Sequence, residues 1–480
     1  MITVGDAYQL FHDGAIALAK VEANGMRIDV SRLDREIARN ERKIQGLLAE
    51  LKADPVFATW RRTWGSATNI GSRPQLGRVL FDVMKVPCKA WSAKSKRPKV
   101  DEAALSQIDL PFVKKWQEAE TVRILNTTFF GGIKQEISGE YIHPVFDLHT
   151  VTSYRGSSSS PNAQNFKKDK RLRRCFIPED GDHFVELDFG GHEFRIAAAV
   201  HADPEMIRYA SDPNMDVHRD YAAKIFSCKK DQIAGSGKAL RQLTKANFIF
   251  ATLYGSYWFK TAKGLWEGSA DLTLADGTPV WEHLKSKNIR ELGADDTKSD
   301  PAPGSFRRHV KSIEDGFMRT FSTFARAKEE TYVGYQKNGG IRLVTGFWVE
   351  RMKENGKAGV GGLCTKNFIL NVQVQGPAFH CLLWCLIQIQ RELEKRGMKA
   401  RIIGTVHDSI LASVPAGEIQ VFLKLAKRIM TVDIRKVWDW LVVPLEAEAG
   451  VSDVNGNWWD RLTWIDREGV WGPKEERIAT

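Results

Sequence analysis

Apolar and polar residues alternate along the chain with two different periods. Apolar residues recur at helical spacing over residues 5–24 and from Leu33 to Leu51, and residues 365–396 predict another long helix. Short apolar runs of strand length occupy residues 184–187, 402–406 and 410–414. The pattern predicts helices interspersed with a few strands, which is typical of the α+β fold class.

Four further segments are predicted to be extended, residues 141–145, 149–154, 341–352 and 442–448. Residues 264–305 are polar and rich in turn-forming residues, which predicts an insertion on a helical region. The tail beyond about Leu462 has no pattern from which we predict an element.

An acid stands at the end of the first predicted strand. The apolar run over residues 184–187 leads directly to Asp188, and a pair of glycines follows shortly after. A carboxylate at a strand end beside a glycine turn is exposed where a ligand can reach it. Residues 407–409 separate the two later strands, which predicts a tight hairpin with Asp408 at its tip. Taken alone, Asp408 is more typical of a structural aspartate in a hairpin turn than of a ligand-binding acid.

Composition narrows the class of protein. The 480 residues are enough for roughly two to four subdomains, and the net charge of +11 favours a polyanionic partner. None of the six cysteines has CxxC spacing, which disfavours a zinc site and fits a reducing compartment. With no signal segment and no run of about 18 apolar residues, we expect no membrane partner and a cytoplasmic location in a bacterial or phage-infected cell.

Basic and amide side chains cluster in two places. Arg155, Gln164 and Asn165 lie in a polar stretch that is either a flexible linker or a set of planar donors, and the basic run over residues 167–174 follows. That run, which includes Lys168 and Arg171, is either a solvated face or a phosphate-binding patch. Further along, Arg241 and Lys245 are spaced i,i+4 and share one helix face, which Lys238 extends.

Seven segments of this chain, in the same order, resemble family A DNA polymerases over roughly residues 7–460. They are TNIGSRPQLGRVLF, TSYRGSSSSPNAQN, LDFGGHEFR (motif A, with Asp188, Glu193 and Arg195), RQLTKANFIFATLYG (motif B), NVQVQG, TVHDS (motif C) and VPLEAEAGVSDVNGNW. The resemblance implies a right-hand polymerase fold with an antiparallel-sheet palm and helical thumb and fingers. It also implies a DNA-directed DNA polymerase that transfers deoxynucleotides to a primer 3′-hydroxyl.

The resemblance also implies a division of the chain into regions. They are a palm-associated helix (1–29), the thumb (30–125), the first part of the palm (126–204), the fingers (205–355, with the insertion at about 264–305), the second part of the palm (356–462) and a tail (463–480).

Site residues follow from the same resemblance. Asp188, Asp408 and the carbonyl of Phe189 are expected to bind two Mg²⁺ ions, with Mn²⁺ as an alternative, about 3.5–4 Å apart. The expected nucleotide-binding residues are Glu193, Lys238, Arg241, Lys245, Phe250 and Tyr254, with Lys245 also catalytic. The expected contacts to primer-template DNA are Arg155, Gln164, Asn165, Lys168, Arg171, Asn371, Gln375 and His407. The amide and guanidinium donors among them can check the minor-groove acceptors of any base pair.

Two departures from the family pattern carry predictions of their own. Motif B places its aromatic and its Tyr-Gly pair one residue late after Lys245, so we predict a π-bulge between Lys245 and Phe250 that restores one common face. Motif C has Ser409 where the family has an acid, and Glu446 and Glu448 are candidates to compensate.

Other functions and partners stay open. The chain starts almost at the polymerase core, so we expect no proofreading exonuclease within it. A processivity factor or a separate exonuclease would then be an additional partner. The compact form is analogous to phage or mobile-element replicases. The alternatives are a single-subunit RNA polymerase, which Glu193 disfavours, and an inactive DNA-binding relative, which the presence of both acids disfavours.

Overall fold

The computed structural model describes residues 2–88, 91–92, 97–297, 299–350 and 364–474. The first helices are α1 (Val4–Asn24), α2 (Val30–Ala53), α3 (Pro55–Trp64), α4 (Arg73–Gly77), α5 (Glu102–Leu105), α6 (Pro111–Ile124), α7 (Gly131–Glu136), α8 (Lys170–Arg173), α9 (His192–His201) and α10 (Pro204–Ser211). The later helices are α11 (Val217–Ile225), α12 (Lys238–Thr244), α13 (Ala251–Leu253), α14 (Trp258–Gly268), α15 (Val280–Ser286), α16 (Phe306–Thr320), α17 (Ser322–Asn338), α18 (Lys366–Lys395), α19 (Ile419–Arg428) and α20 (Ile434–Val437).

Short segments of other helix types adjoin these helices. The π-helical segments are Arg78–Val83, Leu125–Phe130, Lys245–Phe250 and Ile429–Asp433, and the 3₁₀ turns are Gly65–Ala67, Ala163–Asn165, Lys230–Ile233 and Gly235–Gly237. The strands are β1 (Met26–Arg27), β2 (Tyr141–Ile142), β3 (Val145–Asp147), β4 (Ser157–Ser159), β5 (Asp182–Phe189), β6 (Gly340–Arg342), β7 (Trp348–Glu350), β8 (Arg401–Val406), β9 (Ser409–Pro415), β10 (Ala447–Val454), β11 (Leu462–Arg467) and β12 (Val470–Pro473).

One six-stranded sheet organises the molecule. Its strand order is β12-β11-β10-β5-β9-β8, and every neighbouring pair is antiparallel. Strand β5 is central because apolar side chains such as Phe184, Val185 and Leu187 are buried, and each such side chain contributes about 1.5–3 kcal/mol to folding. Strands β5, β8 and β9 confirm the three strands predicted from the apolar runs.

Helix α18 packs beside this sheet with α1 and α9 against it. It confirms the helix predicted over 365–396, and it accommodates Pro377 in its interior. Its length and hydropathy are sufficient to cross a membrane, but 78% of its most apolar stretch is buried inside the protein. Core packing therefore accounts for its apolar character.

A separate apolar cluster lies in the N-terminal part of the chain. Leu51, Trp60, Leu80, Phe112 and Trp116 are among its buried members. All of its buried members fall inside the region 30–125 predicted to be the thumb. The boundaries of the predicted regions stay predictions.

Of the predicted extended segments, one is wrong and two are correct only in part. Residues 149–154 form turns, so that prediction is wrong: Tyr154 has φ +55°, and its hydroxyl donates a hydrogen bond to the Trp348 carbonyl oxygen at 2.6 Å. The predicted strand at 442–448 starts only at Ala447, because Pro444 lacks the N–H that a sheet ladder requires. Segment 341–352 is the β6–β7 hairpin as far as Glu350, and its last two residues lie outside the described residues.

Strands β11 and β12 were missed altogether. They form a hairpin whose register pairs Trp464 with Pro473 and Arg467 with Val470. The signal was short: apolar Leu462, Trp464 and Ile465 precede the turn-forming Gly469, which has φ +87°. The hairpin widens the sheet beyond β10.

Candidate active site

Pairing between β5 and β9 brings the two predicted acids together. Asp188 lies directly opposite Ser409, and Asp408 immediately precedes Ser409 in the hairpin. Because Cα atoms of opposed residues in an antiparallel pair are about 4.5–5.5 Å apart, both carboxylates project at the same end of the sheet. Val406 pairs with Ser409, so the β8–β9 turn consists of His407 and Asp408 alone.

The charges at this end of the sheet repel one another. Asp188 is open to solvent, yet protein surrounds it on most sides. Desolvation by that surrounding protein, followed by the negative charges of Asp408, Glu186 and Glu448 in that order, raises its pKa to about 7. A group of carboxylates gathered in this way is a suitable environment for a divalent cation.

The oxygen donors at this end of the sheet suit a magnesium ion that is held only in part by the protein. In the described residues no three His, Cys, Asp or Glu side chains converge as a ready-made metal site. Magnesium is commonly held by one or two carboxylates, with water and substrate phosphate completing its shell. Asp188 and Asp408, with the carbonyl of Phe189 at the strand end, are oxygen donors of that kind.

Gln164 holds the hairpin that carries Asp408. Its Oε1 accepts a hydrogen bond from the His407 backbone N–H at 2.6 Å, and its Nε2 donates to the Thr405 carbonyl oxygen at 3.2 Å. His407 has φ +54°, a backbone conformation that costs a non-glycine residue about 1 kcal/mol or more. The amide of Gln164 therefore helps to fix the strained turn, and its side chain is engaged inside the protein.

A chain of polar side chains links four predicted site residues. Arg155 Nη1 donates to Gln375 Oε1 at 2.7 Å, and Gln375 Nε2 donates to Glu193 Oε1 at 3.0 Å. The Tyr254 hydroxyl lies beside Glu193, and desolvation followed by the negative charge of Glu193 raises its pKa. The structure thus brings residues from four separate segments of the sequence to one place.

The predicted irregularity of motif B is confirmed. Helix α12 passes into the π-helical segment Lys245–Phe250 before α13. The Lys245 amine lies 5.3 Å from the centre of the Phe250 ring, whose centroid is 6.2 Å from that of Tyr254. The extra residue is therefore absorbed as a bulge, and the cation and both aromatic rings stay on one face.

Gly255 ends this helix where a side chain would not fit. It has φ +89°, and a Cβ there would lie 2.7 Å from Asn367 Oδ1. The glycine therefore lets the backbone approach α18 closely.

Deletion of Ala246 tests the bulge. Ala246 is exposed within the π-helical segment, so its removal should leave a regular α-helix with Lys245 and Phe250 on the same face. We expect the deletion variant to keep its activity and its unfolding temperature. Deletion of the exposed Gln242 from regular α12 should instead turn Arg241 by about 100° relative to Lys245 and lower activity. Loss of activity in the Ala246 deletion but not in the Gln242 deletion would contradict the assignment of a bulge to Lys245–Phe250.

A second polar group lies next to the motif B face. Arg241 Nε donates to Asp216 Oδ2 at 2.7 Å. His218 packs edge-on against the Phe250 ring at 5.9 Å. Burial, followed by the positive charge of Arg241, lowers the pKa of His218 to about 3. His218 is therefore neutral at pH 7 in this state.

The remaining predicted residues lie in different environments. Lys168, Asn165, Lys238 and His407 are exposed, and Asn371 is half-buried one turn before Gln375 on α18. Arg171 is engaged inside the protein: its Nη1 donates to Asn40 Oδ1 at 2.9 Å, and its Nη2 lies 3.4 Å from Asp169 Oδ2.

Arg195 fixes the glycine turn between β5 and α9. Its Nε donates to the Gly190 carbonyl oxygen at 3.0 Å, its Nη1 donates to the Pro444 carbonyl oxygen at 2.7 Å, and its guanidinium forms an ion pair with Glu446. Glu448, in contrast, is exposed and lies directly opposite Asp188 on β10. Of the two candidates to compensate for Ser409, only Glu448 adjoins Asp188 in the sheet.

The sequence interpretation missed two residues of this site. Glu186 could have been found, because the period of two along β5 places it on the same face as Asp188. His218 had no comparable signal: it stands in the first turn of α11, two residues after its N-cap Asp216. Its position beside motif B depends on helix packing.

Comparison with known proteins identifies the family. Residues 39–271 and 307–460 match the family described as DNA polymerase family A, which is well over half of the chain. The chain belongs to DNA polymerase family A. The unmatched residues 272–306 between the two segments fall almost entirely within the predicted polar insertion.

Individual family A members are distant in sequence. The chain is 25% identical over 447 residues to the thermostable DNA polymerase I of Thermus aquaticus, covering 91% of this chain and 46% of that protein. It is also 25% identical over 459 residues to DNA polymerase I of Lactococcus lactis subsp. cremoris, covering 93% of this chain and 44% of that protein. The chain thus spans less than half the length of these curated relatives.

A solved family A structure has the same fold. The POL domain of Pol1 from M. smegmatis, in complex with DNA primer-template and dNTP, superimposes with a TM-score of 0.71 at 20% identity. The alignment covers 93% of this chain and 70% of that one. The predicted α+β, right-hand polymerase fold is therefore confirmed.

Proposed function

We propose that the chain is a template-directed DNA polymerase that adds deoxynucleotides to a primer 3′-hydroxyl. The observation that carries this proposal is the register of β5 and β9, which sets Asp188 beside the Asp408 hairpin. Two carboxylates on one sheet end, within a family A fold, are the minimum that metal-assisted phosphoryl transfer requires.

Asp188, Asp408 and the Phe189 carbonyl would hold the divalent cations. When bound, such ions stabilise the charge that develops on the transferring phosphoryl group and lower the pKa of the primer hydroxyl. The protein's contribution is to keep both carboxylates in place before substrate arrives. Gln164 does this for Asp408 by holding the Thr405 carbonyl oxygen and the His407 N–H of the hairpin backbone.

The triphosphate would lie along the motif B face. The Lys245 amine lies over the Phe250 ring and so stays on this face. Its positive charge can bind a phosphate there. Arg241 is paired with Asp216, so a bound phosphate would compete for its guanidinium, while the exposed Lys238 extends the positive stripe. The neutral His218 ring beside Phe250 supplies a further donor or acceptor.

Glu193 would select the sugar of the incoming nucleotide. The amide of Gln375 orients its carboxylate, and Arg155 orients Gln375 in turn. A carboxylate fixed in this way excludes a 2′-hydroxyl by contact. The nascent base would stack near Tyr254, which packs against Phe250.

Primer-template DNA would contact the donors around this centre. Arg155, Asn371 and Gln375 are candidates to test minor-groove acceptors, which every Watson–Crick pair presents. Exposed Asn165 and Lys168 follow Gln164 along the chain and are candidates for backbone contact, and His407 stands exposed at the hairpin tip near the primer terminus. In the same proposal Gln164 acts indirectly, by holding the hairpin that carries Asp408. Arg171 also acts indirectly, through its hydrogen bond to Asn40.

Primer extension with deoxynucleotides and with ribonucleotides tests the proposal. Wild-type protein should extend a DNA primer on a DNA template and strongly prefer deoxynucleotides. Glu193→Ala should reduce that preference by about 10- to 200-fold, because it removes one steric contact with the sugar. Glu205→Ala, at a half-buried acid of α10 that pairs with Arg208, is the matched control and should leave the preference unchanged.

Two results would overturn the proposal. Preferential ribonucleotide incorporation would assign the chain to RNA synthesis instead. A protein that binds primer-template and extends it with neither nucleotide would be a DNA-binding relative without catalysis. A primer with a mismatched 3′ end tests the predicted lack of proofreading, because it should persist without shortening.

A further inference from the structure

The replacement of the motif C acid by Ser409 has a counterpart on the neighbouring strand. Glu186 lies two residues before Asp188 in β5, so both side chains project from the same face of the sheet. The buried Ser409 hydroxyl lies 3.2 Å from Glu186 Oε1 and 2.8 Å from the Val406 carbonyl oxygen. Its single proton is shared between the β5 carboxylate and the backbone of the hairpin.

The second oxygen of Glu186 is held from the C-terminal side. Trp458 Nε1 donates a hydrogen bond to Glu186 Oε2 at 3.2 Å, and Arg461 forms an ion pair with the same oxygen. Arg173 in turn lies 4.0 Å above the Trp458 ring. Glu186 is therefore fixed at both ends, and a half-buried carboxylate in a strand otherwise rich in apolar residues is costly unless it is held in this way.

We propose that Glu186 supplies the third carboxylate charge of the metal centre, in place of the acid that motif C lacks, and that Ser409 positions it. This assignment rests on the proposed polymerase function. Glu186 is a positioning residue rather than a metal ligand, because its oxygens are already engaged by Ser409, Trp458 and Arg461. It acts by adding negative charge beside Asp188 and by tying β5 to the hairpin that bears Asp408.

Glu186 fits this role better than the two acids of the C-terminal segment. Glu446 is held by Arg195 at the turn between β5 and α9. Glu448 is exposed on β10, so solvent screens its charge more than that of the half-buried Glu186. Neither acid shares a hydrogen bond with Ser409 in the described structure.

The ion pair between Glu186 and Arg461 decides which variant is informative. Glu186→Gln alone would leave a buried guanidinium without its partner, so the informative variant is the double replacement Glu186→Gln with Arg461→Gln. Binding of Mn²⁺ in the absence of nucleotide is followed by electron paramagnetic resonance, together with thermal unfolding. The Mg²⁺ concentration for half-maximal primer extension provides a second readout. Glu448→Gln is the matched control.

We expect the double variant to bind Mn²⁺ roughly 10- to 100-fold more weakly and to require correspondingly more Mg²⁺, as for other residues that support metal ligands. Its rate at saturating Mg²⁺ should fall much less, and Glu448→Gln should have a smaller effect on binding. Introducing Ser409→Glu into the double variant should restore affinity, because it returns an acid to motif C.

Two results would overturn the assignment alone. One is wild-type affinity in the double variant, which would make Glu186 only the counter-ion of Arg461. The other is weak binding that Ser409→Glu leaves unchanged. A wild-type protein that neither binds Mn²⁺ nor extends a primer would remove the proposed function and this assignment with it.

Discussion

Asp408→Asn should reduce primer extension by about a thousandfold or more, and Asp188→Asn should do the same. Each replacement removes one of the two carboxylates that the β5–β9 register brings together. Loss of a metal-binding carboxylate forfeits several kcal/mol of transition-state stabilisation, and each 1.36 kcal/mol is about a factor of ten in rate. Single-turnover extension of a matched primer at saturating Mg²⁺ measures the effect.

The folded state should survive both replacements. The ionised form of Asp188 is disfavoured in the fold, since burial and neighbouring acids raise its pKa to about 7. Its contribution to the free energy of unfolding therefore falls as pH rises from about 4 to about 7, and its charge destabilises the metal-free protein above that range. Asp188→Asn should unfold at an equal or higher temperature than wild type at pH 8 without metal.

The exposed Asp453 of β10 provides the matched control. Asp453→Asn removes one negative charge from the same sheet at a distance from the hairpin, and its extension rate should equal that of wild type. If Asp188→Asn or Asp408→Asn extends primers as fast as Asp453→Asn, the catalytic assignment is wrong.

Lys245→Ala should have the second largest effect, a loss of about 10²- to 10³-fold in single-nucleotide incorporation. A preorganised cation directed at developing charge is worth about 2.7–4 kcal/mol when it is removed. Lys245 is preorganised because its amine lies 5.3 Å from the centre of the Phe250 ring and because the π-helical segment holds both residues on one face. Pre-steady-state incorporation over a range of dNTP concentrations separates the affinity from the rate.

Two further variants define the origin of that effect. Lys245→Arg keeps the charge and should recover part of the loss. Lys260→Ala, at an exposed lysine of α14, removes a charge from the predicted fingers region outside the motif B face and should have no effect. Equal losses in Lys245→Ala and Lys260→Ala would indicate a nonspecific electrostatic contribution and would contradict the assigned role.

The elements that the sequence predicted best are those with a local signal. The apolar runs before Asp188 and around Asp408 specify β5, β8 and β9, and α18 follows from its helical period. The bulge after Lys245 was predictable because a one-residue excess in helix spacing has few structural solutions.

The features that the sequence missed depend on partners distant in the chain. Gln164 looked like a free donor, but its amide is bound to the hairpin at residues 405–407, some 240 residues away. Arg171 likewise pairs with Asn40, 131 residues away. Hydrogen bonds between residues so far apart produce no periodic pattern in the sequence. The strands β11 and β12 had only a short local signal, a few apolar residues on each side of Gly469. Residues 442–446 were wrongly included in a strand although Pro444 interrupts them.

A ternary complex with primer-template DNA, a non-hydrolysable dNTP and Mn²⁺ provides the most direct measurement. Its anomalous difference map should show two Mn²⁺ peaks within coordination distance of the carboxylates of Asp188 and Asp408. Mn²⁺ peaks bound elsewhere, with both carboxylates left without a cation, would contradict the account.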